Sequence, residues 1–251
     1  ATVTLRFSEA VVSFSSAADI TADNGTLAAM SSADNITWTG TFTPTANTED
    51  ASNTLSLATS YTDTAGNTGP AATTANYAVE TLAPTVNSVA ISSASGVQNS
   101  LLNAGDNVSV TATFSESVIV DNASGTPTLT LVVGSDNRTA TYASGSGSTP
   151  LVFQYTIQAG ETDADGISIE ANTLALNSGT IRDAAGNNAT ITYSSVSANT
   201  SYKVDNTAPS VDNFTLSDTA LKAGDTATVT LRFSEAVVSF SSAADITADN
   251  G

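Results

Sequence analysis

The sequence predicts an all-β protein of antiparallel sandwiches, and three observations support this. Short runs that alternate apolar and polar residues are separated by clusters of Gly, Asn, Asp and Ser, the pattern of strands joined by turns. No run keeps the 3.6-residue period of an amphipathic helix, so we expect almost no helix. Residues 1–25 recur unchanged at 227–251, which sets a repeat of 226 residues and indicates a tandem array. We therefore expect sandwiches placed end to end in a rod, sampled here as a window of a longer periodic polypeptide.

The predicted strands alternate clearly between an inner and an outer face. Val3, Leu5 and Phe7 fall on one face of the first strand, while the polar residues between them fall on the other. Residues 107–114 and 151–157 repeat this pattern. The aromatic residues expected inside the sandwiches are Phe7, Trp38, Phe114, Phe153 and Tyr155.

The composition excludes several functions. Acidic residues number 24 and basic residues 6, giving a net charge of −18, which argues against nucleic acid and anionic membranes as partners, since both need basic patches, and is compatible with cations. The chain has no Cys and no His, so it has no disulfide, no thiolate metal site and no histidine base. No apolar run approaches the roughly 20 residues of a membrane span. With Lys only at 203 and 222, no nucleophile has an evident base, and we expect no enzymatic activity.

Pairs of similar segments indicate that one repeat contains two related domains. The pairs are VTLRFSEAV at 3–11 and VTATFSESV at 110–118, YTDTAGN at 61–67 and IRDAAGN at 181–187, and VETLAPTV at 79–86 and VDNTAPSV at 204–211. The segments that contain Ala-Pro are interpreted as linkers, because proline interrupts a strand ladder and stiffens the crossing.

These linkers predict three parts of the chain. Domain A, residues 1–84, lacks its first strand; domain B spans residues 85–209; and residues 210–251 hold the first strands of the next copy of domain A. Adding the strand within 210–226 to residues 1–84 gives about 100 residues, which is typical of an immunoglobulin-like sandwich. Domain B is longer, and its extra residues around 137–149 predict an exposed hairpin.

The segments LNAGDNVSVTATFSE, GTIRDAAGN and KVDNTAP resemble the bacterial immunoglobulin-like tandem repeats of giant secreted adhesins of the RTX type. The resemblance implies an extracellular or cell-surface extender rod that serves cell adhesion or biofilm formation and is stiffened by calcium. It also implies that the partners of each domain are neighbouring repeats of the same chain. A glycan or cell-surface ligand would then be bound by domains outside this chain.

Acidic residues are expected to meet where domain A joins domain B. In a seven-strand sandwich, the strand carrying FSE and the D-x-A-G-N loop both reach the incoming linker, while the turn before the penultimate strand lies at the opposite end. Two domains and the linker would therefore contribute oxygen atoms to one junction. The predicted ligands are Glu116, Asp183 and Asn187 of domain B, Glu80 of the linker, and Glu49 and Asp50 of domain A.

The same reasoning predicts a second junction after domain B. Its ligands are Asp205 of the linker, Glu235 of the next FSE segment, and Asp163 and Asp165 of the turn ETDADG. The equivalent residues in domain A are Glu9, Asp63 and Asn67. Because calcium takes six to eight oxygen ligands, we predict that Ca²⁺ binds at each junction. The alternative is that each acid is a solvated turn residue, since Asp and Asn favour turns.

Three other functions compete with a calcium-stiffened extender. The domains could themselves bind a glycan or a protein, although exposed aromatic residues are scarce. They could be accessory domains of a secreted hydrolase, although an enzyme's spacer rarely needs identical copies. The chain could also be the subunit of a head-to-tail filament in which residues 210–226 of one subunit complete residues 1–84 of the next, since strand donation pairs an open edge.

Overall fold

The computed structural model describes residues 1–248, and it shows the all-β fold that the sequence predicts. The helices in these residues are two single turns, α1 (Ser16–Asp19) and α2 (Ser242–Asp245), which occupy identical positions in the two copies of the repeated segment. The segment predicted to hold the first strands of the next copy, residues 210–251, ends in residues 249–251, which lie outside the described part of the chain. No helix among the described residues is long and apolar enough to cross a membrane.

Domain A is built from short strands around a small core. They are β1 (Thr2–Arg6), β2 (Val11–Val12), β3 (Ile20–Ala22), β4 (Gly25–Leu27), β5 (Thr37–Pro44), β6 (Glu49–Asn53), β7 (Leu55–Leu57), β8 (Thr62–Asp63), β9 (Ala72–Thr73) and β10 (Tyr77–Glu80). They form the antiparallel sheets β1-β5-β4, β3-β7-β9, β10-β6 and β2-β8. The core contains Val11, Phe14, Met30, Leu57 and Tyr61.

Domain B has longer strands. They are β11 (Val86–Ser95), β12 (Leu101–Leu102), β13 (Asn107–Asp121), β14 (Thr128–Val133), β15 (Asp136–Ser144), β16 (Ser148–Thr156), β17 (Thr162–Asp163), β18 (Thr180–Arg182) and β19 (Lys203–Asp205). One sheet has the order β11-β13-β16-β15-β14, with β18 also paired to β13, and a second has the order β12-β19-β17. Strand β13 is the longest strand of domain B, and every second residue from Val108 to Phe114 is buried.

The core of domain B contains more buried side chains than that of domain A, and many of them are fully inaccessible to solvent. Phe114 and Phe153 are essentially inaccessible to solvent, and Tyr155 is buried beside them. The predicted hairpin is present, since β15 and β16 pair across a turn in which Gly145 and Gly147 adopt positive φ.

Two of the aromatic residues predicted as buried are only half-buried. Phe7 and Trp38 pack against the core of domain A but remain partly accessible. The reason is that β1 lies at the edge of its sheet, with β5 on one side and no strand of residues 1–248 on the other. The core of domain A is therefore open along this edge, and its outer aromatic residues are incompletely covered.

The last described segment forms a two-stranded ribbon. Strands β20 (Val211–Leu216) and β21 (Val229–Phe233) pair antiparallel, and Phe214 lies opposite Leu231. Most of the apolar side chains of β20 are exposed.

Candidate functional site

The linker between domains A and B is hydrogen-bonded to domain A on its first half. Glu80, the last residue of β10, lies directly opposite Glu49 of β6 in the strand ladder. Thr81 follows, and its hydroxyl donates to the carbonyl of Thr45 at 2.7 Å while its backbone N–H donates to the carbonyl of Thr48 at 2.9 Å. Two acids are therefore held side by side at the exit of domain A, which is an unfavourable cross-strand pair unless something compensates their charge.

The second half of the linker is hydrogen-bonded to domain B. The backbone N–H of Thr190 donates to the carbonyl of Pro84 at 2.7 Å. The N–H of Thr85 donates to the Ser115 hydroxyl at 3.0 Å, and the N–H of Ser115 donates back to the Thr85 carbonyl at 2.8 Å. This reciprocal pair fixes the FSE segment against the linker and places Glu116, the next residue, at the junction.

The D-x-A-G-N loop of domain B is organised by its own aspartate. Oδ1 of the buried Asp183 accepts hydrogen bonds from the N–H groups of Gly186 at 2.7 Å and Asn187 at 2.8 Å, and Oδ2 accepts from Asn187 Nδ2 at 2.7 Å. Burial by itself raises the pKa of Asp183, but the hydrogen bonds from Asn187 and the loop amides outweigh it and lower the pKa. Asn187 Nδ2 also reaches the carbonyl of Glu80 at 3.4 Å, so the loop contacts the linker directly.

Three carboxylates of the first junction act electrostatically on a fourth, that of Glu116. The pKa of Glu116 is raised, first by burial and then by the negative charges of Asp183, Glu80 and Glu49. The acids that act on Glu116 therefore come from both domains and from the linker. The acids do not form a closed ligand shell, since no group of three or more Asp or Glu residues within 1–248 is arranged to hold a metal ion.

Asp50 is held differently from Glu49. Its Oδ2 accepts from Asn24 Nδ2 at 2.7 Å and its Oδ1 accepts from the N–H of Ser52 at 2.9 Å. Asp50 therefore has a local role within domain A, tying the β6 strand to the loop at Asn24.

Domain A contains the same D-x-A-G-N loop, and the ligands predicted for this domain lie close together. Asp63 Oδ1 accepts from the N–H groups of Ala65 and Asn67, and Oδ2 accepts from Asn67 Nδ2. These bonds, the one from the Asn67 side chain foremost, lower the pKa of Asp63. Glu9, Asp63 and Asn67 line one shallow pocket beside Tyr61.

The second junction shows the same linker chemistry with different acids. Asp205 Oδ1 accepts from the N–H of Thr207 at 2.9 Å, as Glu80 Oε1 accepts from Leu82 at 2.8 Å. The N–H of Ser210 donates to the Ser234 hydroxyl at 2.9 Å, which places Glu235 next to the linker.

The acids of this second junction differ in their environments. Asp163 is buried, and its two oxygens accept from the N–H groups of Gly134 and Gly166, so its carboxylate serves the turn itself. Asp165, two residues on, is exposed. Glu235 Oε1 is shielded from solvent and has no hydrogen-bond partner among the described residues.

Sequence reasoning missed the polar residues that anchor the linkers. Besides Ser115 and Thr81, Asn206 is important, because it accepts from the N–H of Ala104 and donates to the carbonyls of Gln158 and Glu161. The available signal was the serine of each FSE segment, which occurs at positions 8, 115 and 234.

The comparison with protein families names the type of domain. The profile of the bacterial Ig-like domain matches residues 1–79 and 205–251, just over half of the chain. The protein belongs to the bacterial Ig-like domain family. Bacterial Ig-like domains of this family are non-catalytic structural modules, and the match confirms the bacterial immunoglobulin-like part of the resemblance. No curated protein and no solved structure matches the chain.

Proposed function

We propose that the chain is a structural extender of a long extracellular adhesin or surface filament. The observation that carries this proposal is the linker between domains A and B, which is hydrogen-bonded to both. Thr81 bonds to domain A, while Pro84 and Thr85 bond to domain B. Inter-domain motion is the usual behaviour of linked domains, and such bonds restrict it. An extender needs this restriction, because its task is to keep a fixed spacing.

The exact repetition of residues 1–25 supports the same function. A spacer gains length from each added copy, whereas a binding or catalytic module gains little from an identical copy of its first strands. The membership in a family of structural Ig-like modules agrees with this proposal. Export to the cell surface is part of the proposal.

We also propose that calcium stiffens the junctions. Glu49 and Glu80 are opposite each other, and Glu116 is under the influence of both and of Asp183. Such a set of acids repels itself, and a divalent cation removes the repulsion. At the second junction, the shielded and unpartnered Oε1 of Glu235 is a polar atom that a cation would satisfy.

The chemistry of the donors fits calcium. The chain offers carboxylate, amide and carbonyl oxygens at the junctions and has neither Cys nor His, and hard cations such as Ca²⁺ prefer oxygen. Binding would have to draw Glu116, Glu80 and Glu49 together around the ion, because they are not arranged as a ligand shell in this structure, while Asp183 and Asn187 would keep the loop in position. The bound ion would supply the positive charge that links acids of separate domains.

Calorimetric titration of the intact chain with calcium chloride tests this proposal. Extracellular calcium modules bind with Kd of about 10⁻⁴–10⁻³ M, and we expect heats in that range. Glu116→Gln keeps the size of the side chain and removes one charge, so it should weaken binding at the first junction. Glu170→Gln is the matched control, because Glu170 is an exposed acid that does not act on Glu116. Absence of any calcium heat, or an equal effect of both variants, would contradict the calcium proposal.

A further inference from the structure

The outer side of the large sheet of domain B carries no charged side chain. Four of its five strands contain stretches without Asp, Glu, Lys or Arg, namely residues 86–95, 107–114, 128–133 and 148–156. On the fifth strand, β15, Arg138 lies opposite the buried Leu131 and pairs with Glu161. Asp136 lies opposite the buried Val133, so neither charged residue of β15 shares the outer side.

Hydroxyl groups cover much of this outer side. Strand alternation turns the large apolar residues into the core and leaves mostly small polar residues between them on the outside. The register aligns Gln154 of the middle strand, β16, with Ser109 of β13 on one side and Thr141 of β15 on the other. We call this surface the hydroxyl face, and we define it by Ser109, Thr111, Thr128, Thr139, Thr141 and Gln154.

The negative charge of the chain lies elsewhere. In domain B, exposed acids such as Asp121, Asp165 and Glu170 lie at strand ends and in loops, away from the hydroxyl face. Because the whole chain carries a net charge of −18, two copies repel each other in most orientations. Contact through the hydroxyl face avoids placing like charges opposite each other, which is unfavourable in an interface.

The chemistry of the hydroxyl face favours a second copy of the chain as its partner. A hydroxyl group both donates and accepts hydrogen bonds, so a surface of Ser and Thr is complementary to itself. A two-fold symmetric dimer requires this property, because the same patch of both subunits meets in its interface. Tyr142 of β15 lies opposite Phe153 and packs against the core, so it offers no outward ring for a sugar to stack on.

The size of the face sets the strength of such a contact. Five strands about 4.8 Å apart, with about eight residues of about 3.3 Å each, give a face of about 20 Å by about 25 Å, or about 1,000 Å² for two copies. Interfaces below about 1,200 Å² are typical of weak and transient complexes. We therefore expect single chains to associate weakly, and chains with several repeats to associate more tightly because each repeat adds a face.

We propose that the hydroxyl faces of two copies of this chain pack against each other around a two-fold axis and hold the copies side by side. Gln154 lies near that axis, because it is on the middle strand and in a row of outward residues that spans four strands. The proposal goes beyond the role as an extender. It depends neither on that role nor on calcium, because the face lies within domain B.

The mass in solution tests the contact. With a chelator present and at an ionic strength of about 0.15 M, light scattering of the unmodified chain should give a mass that rises above 25.2 kDa as the concentration approaches about 1 mM. Gln154→Glu keeps the size of the side chain and places each new charge close to its copy, so it should raise the Kd about tenfold or more. Gln98→Glu is the matched control, since it makes the same change in the exposed turn between β11 and β12. A constant mass of the unmodified chain, or an equal rise for the two variants, would overturn the proposal.

Chemical cross-linking tests which surface makes the contact. The chain has no native Cys, so Gln154→Cys places a single thiol on the hydroxyl face. A bis-maleimide that spans about 10 Å, the separation of facing sheets, should join two such chains with a yield that rises with concentration. Ser197→Cys is the control, because Ser197 is also exposed and lies outside the hydroxyl face. Equal yields from the two variants would refute the proposal.

Ionic strength separates this contact from one made by charged groups. Added salt screens the repulsion between the two acidic copies, so association through the uncharged face should strengthen as salt is added. Association through ion pairs would weaken instead, and a mass that falls with added salt would therefore contradict the proposal. A mass of one chain at every salt concentration would contradict it as well, and it would leave a foreign partner, such as a neutral polysaccharide, as the occupant of the face.

Discussion

Asp183→Ala should destabilise domain B even when no calcium is present. The carboxylate of Asp183 accepts three hydrogen bonds from its own loop, at 2.7, 2.8 and 2.7 Å. Hydrogen bonds to a charged group contribute about 1.5–3 kcal/mol each in buried settings. The loop amides of Gly186 and Asn187 are near solvent, and water replaces part of the lost interaction. We therefore expect a total loss of about 2–3 kcal/mol in the free energy of unfolding of domain B.

The assay is urea unfolding in the presence of a chelator, followed with two probes. Trp38 is the single tryptophan of the chain and lies in domain A, so its fluorescence reports domain A alone. Circular dichroism reports the strands of both domains. The variant should shift the dichroism transition that belongs to domain B and leave the Trp38 transition in place. An unchanged dichroism transition would show that the loop bonds are not needed and that Asp183 acts only through a cation.

Two further predictions concern buried charges. Because the pKa of Glu116 is raised, this residue binds a proton more readily in the folded protein than in the unfolded chain. The free energy of unfolding should therefore decline as pH rises from the ordinary glutamate range through the higher pKa of the folded state. Carbon NMR of the Glu116 carboxyl group measures this pKa, and a value at or below the ordinary one would contradict the prediction. Arg138→Met should cost domain B about 3 kcal/mol, because it leaves the buried Glu161 without its cation, although Tyr155 and Gln158 still donate to it. Denaturant unfolding checks this, with Arg182→Met as the control, since the guanidinium of the exposed Arg182 bonds only to Asn188 among residues 1–248. An equal cost for both variants would refute the prediction.

The all-β fold could be predicted because apolar and polar residues alternate clearly along the sequence. Alternation along residues 107–114 and 151–157 predicts strands, and the structure contains β13 and β16 there. Strand direction alone predicts that Glu116 lies near Glu80, Glu49 and Asp183, and the negative charges of these three acids contribute to the raised pKa of Glu116. Strand direction sets which end of a sandwich a residue reaches, so it predicts neighbourhoods well.

The details of the site could not be predicted in this way. Asp163 turns inward because the N–H groups of Gly134 and Gly166 converge on it, and Gly134 comes from a distant part of the sequence. Asp63 and Asp183 each accept hydrogen bonds from backbone N–H groups of their own loops, and these bonds depend on the local backbone geometry. Strand alternation predicts which face of the sheet a side chain lies on, but it does not predict which groups donate hydrogen bonds to its oxygen atoms.

The most direct test of the central claim is small-angle scattering of a protein with two complete repeats, measured with calcium and with a chelator. If calcium restricts the junctions, chelation should shorten the maximum dimension and broaden the distribution of distances, while circular dichroism shows that the strands persist. Ligand at 100 times Kd stabilises the binding state by about 2.7 kcal/mol, which is enough to favour one orientation at each junction. Identical maximum dimensions in the two conditions would contradict the account and leave the junction acids as turn and surface residues.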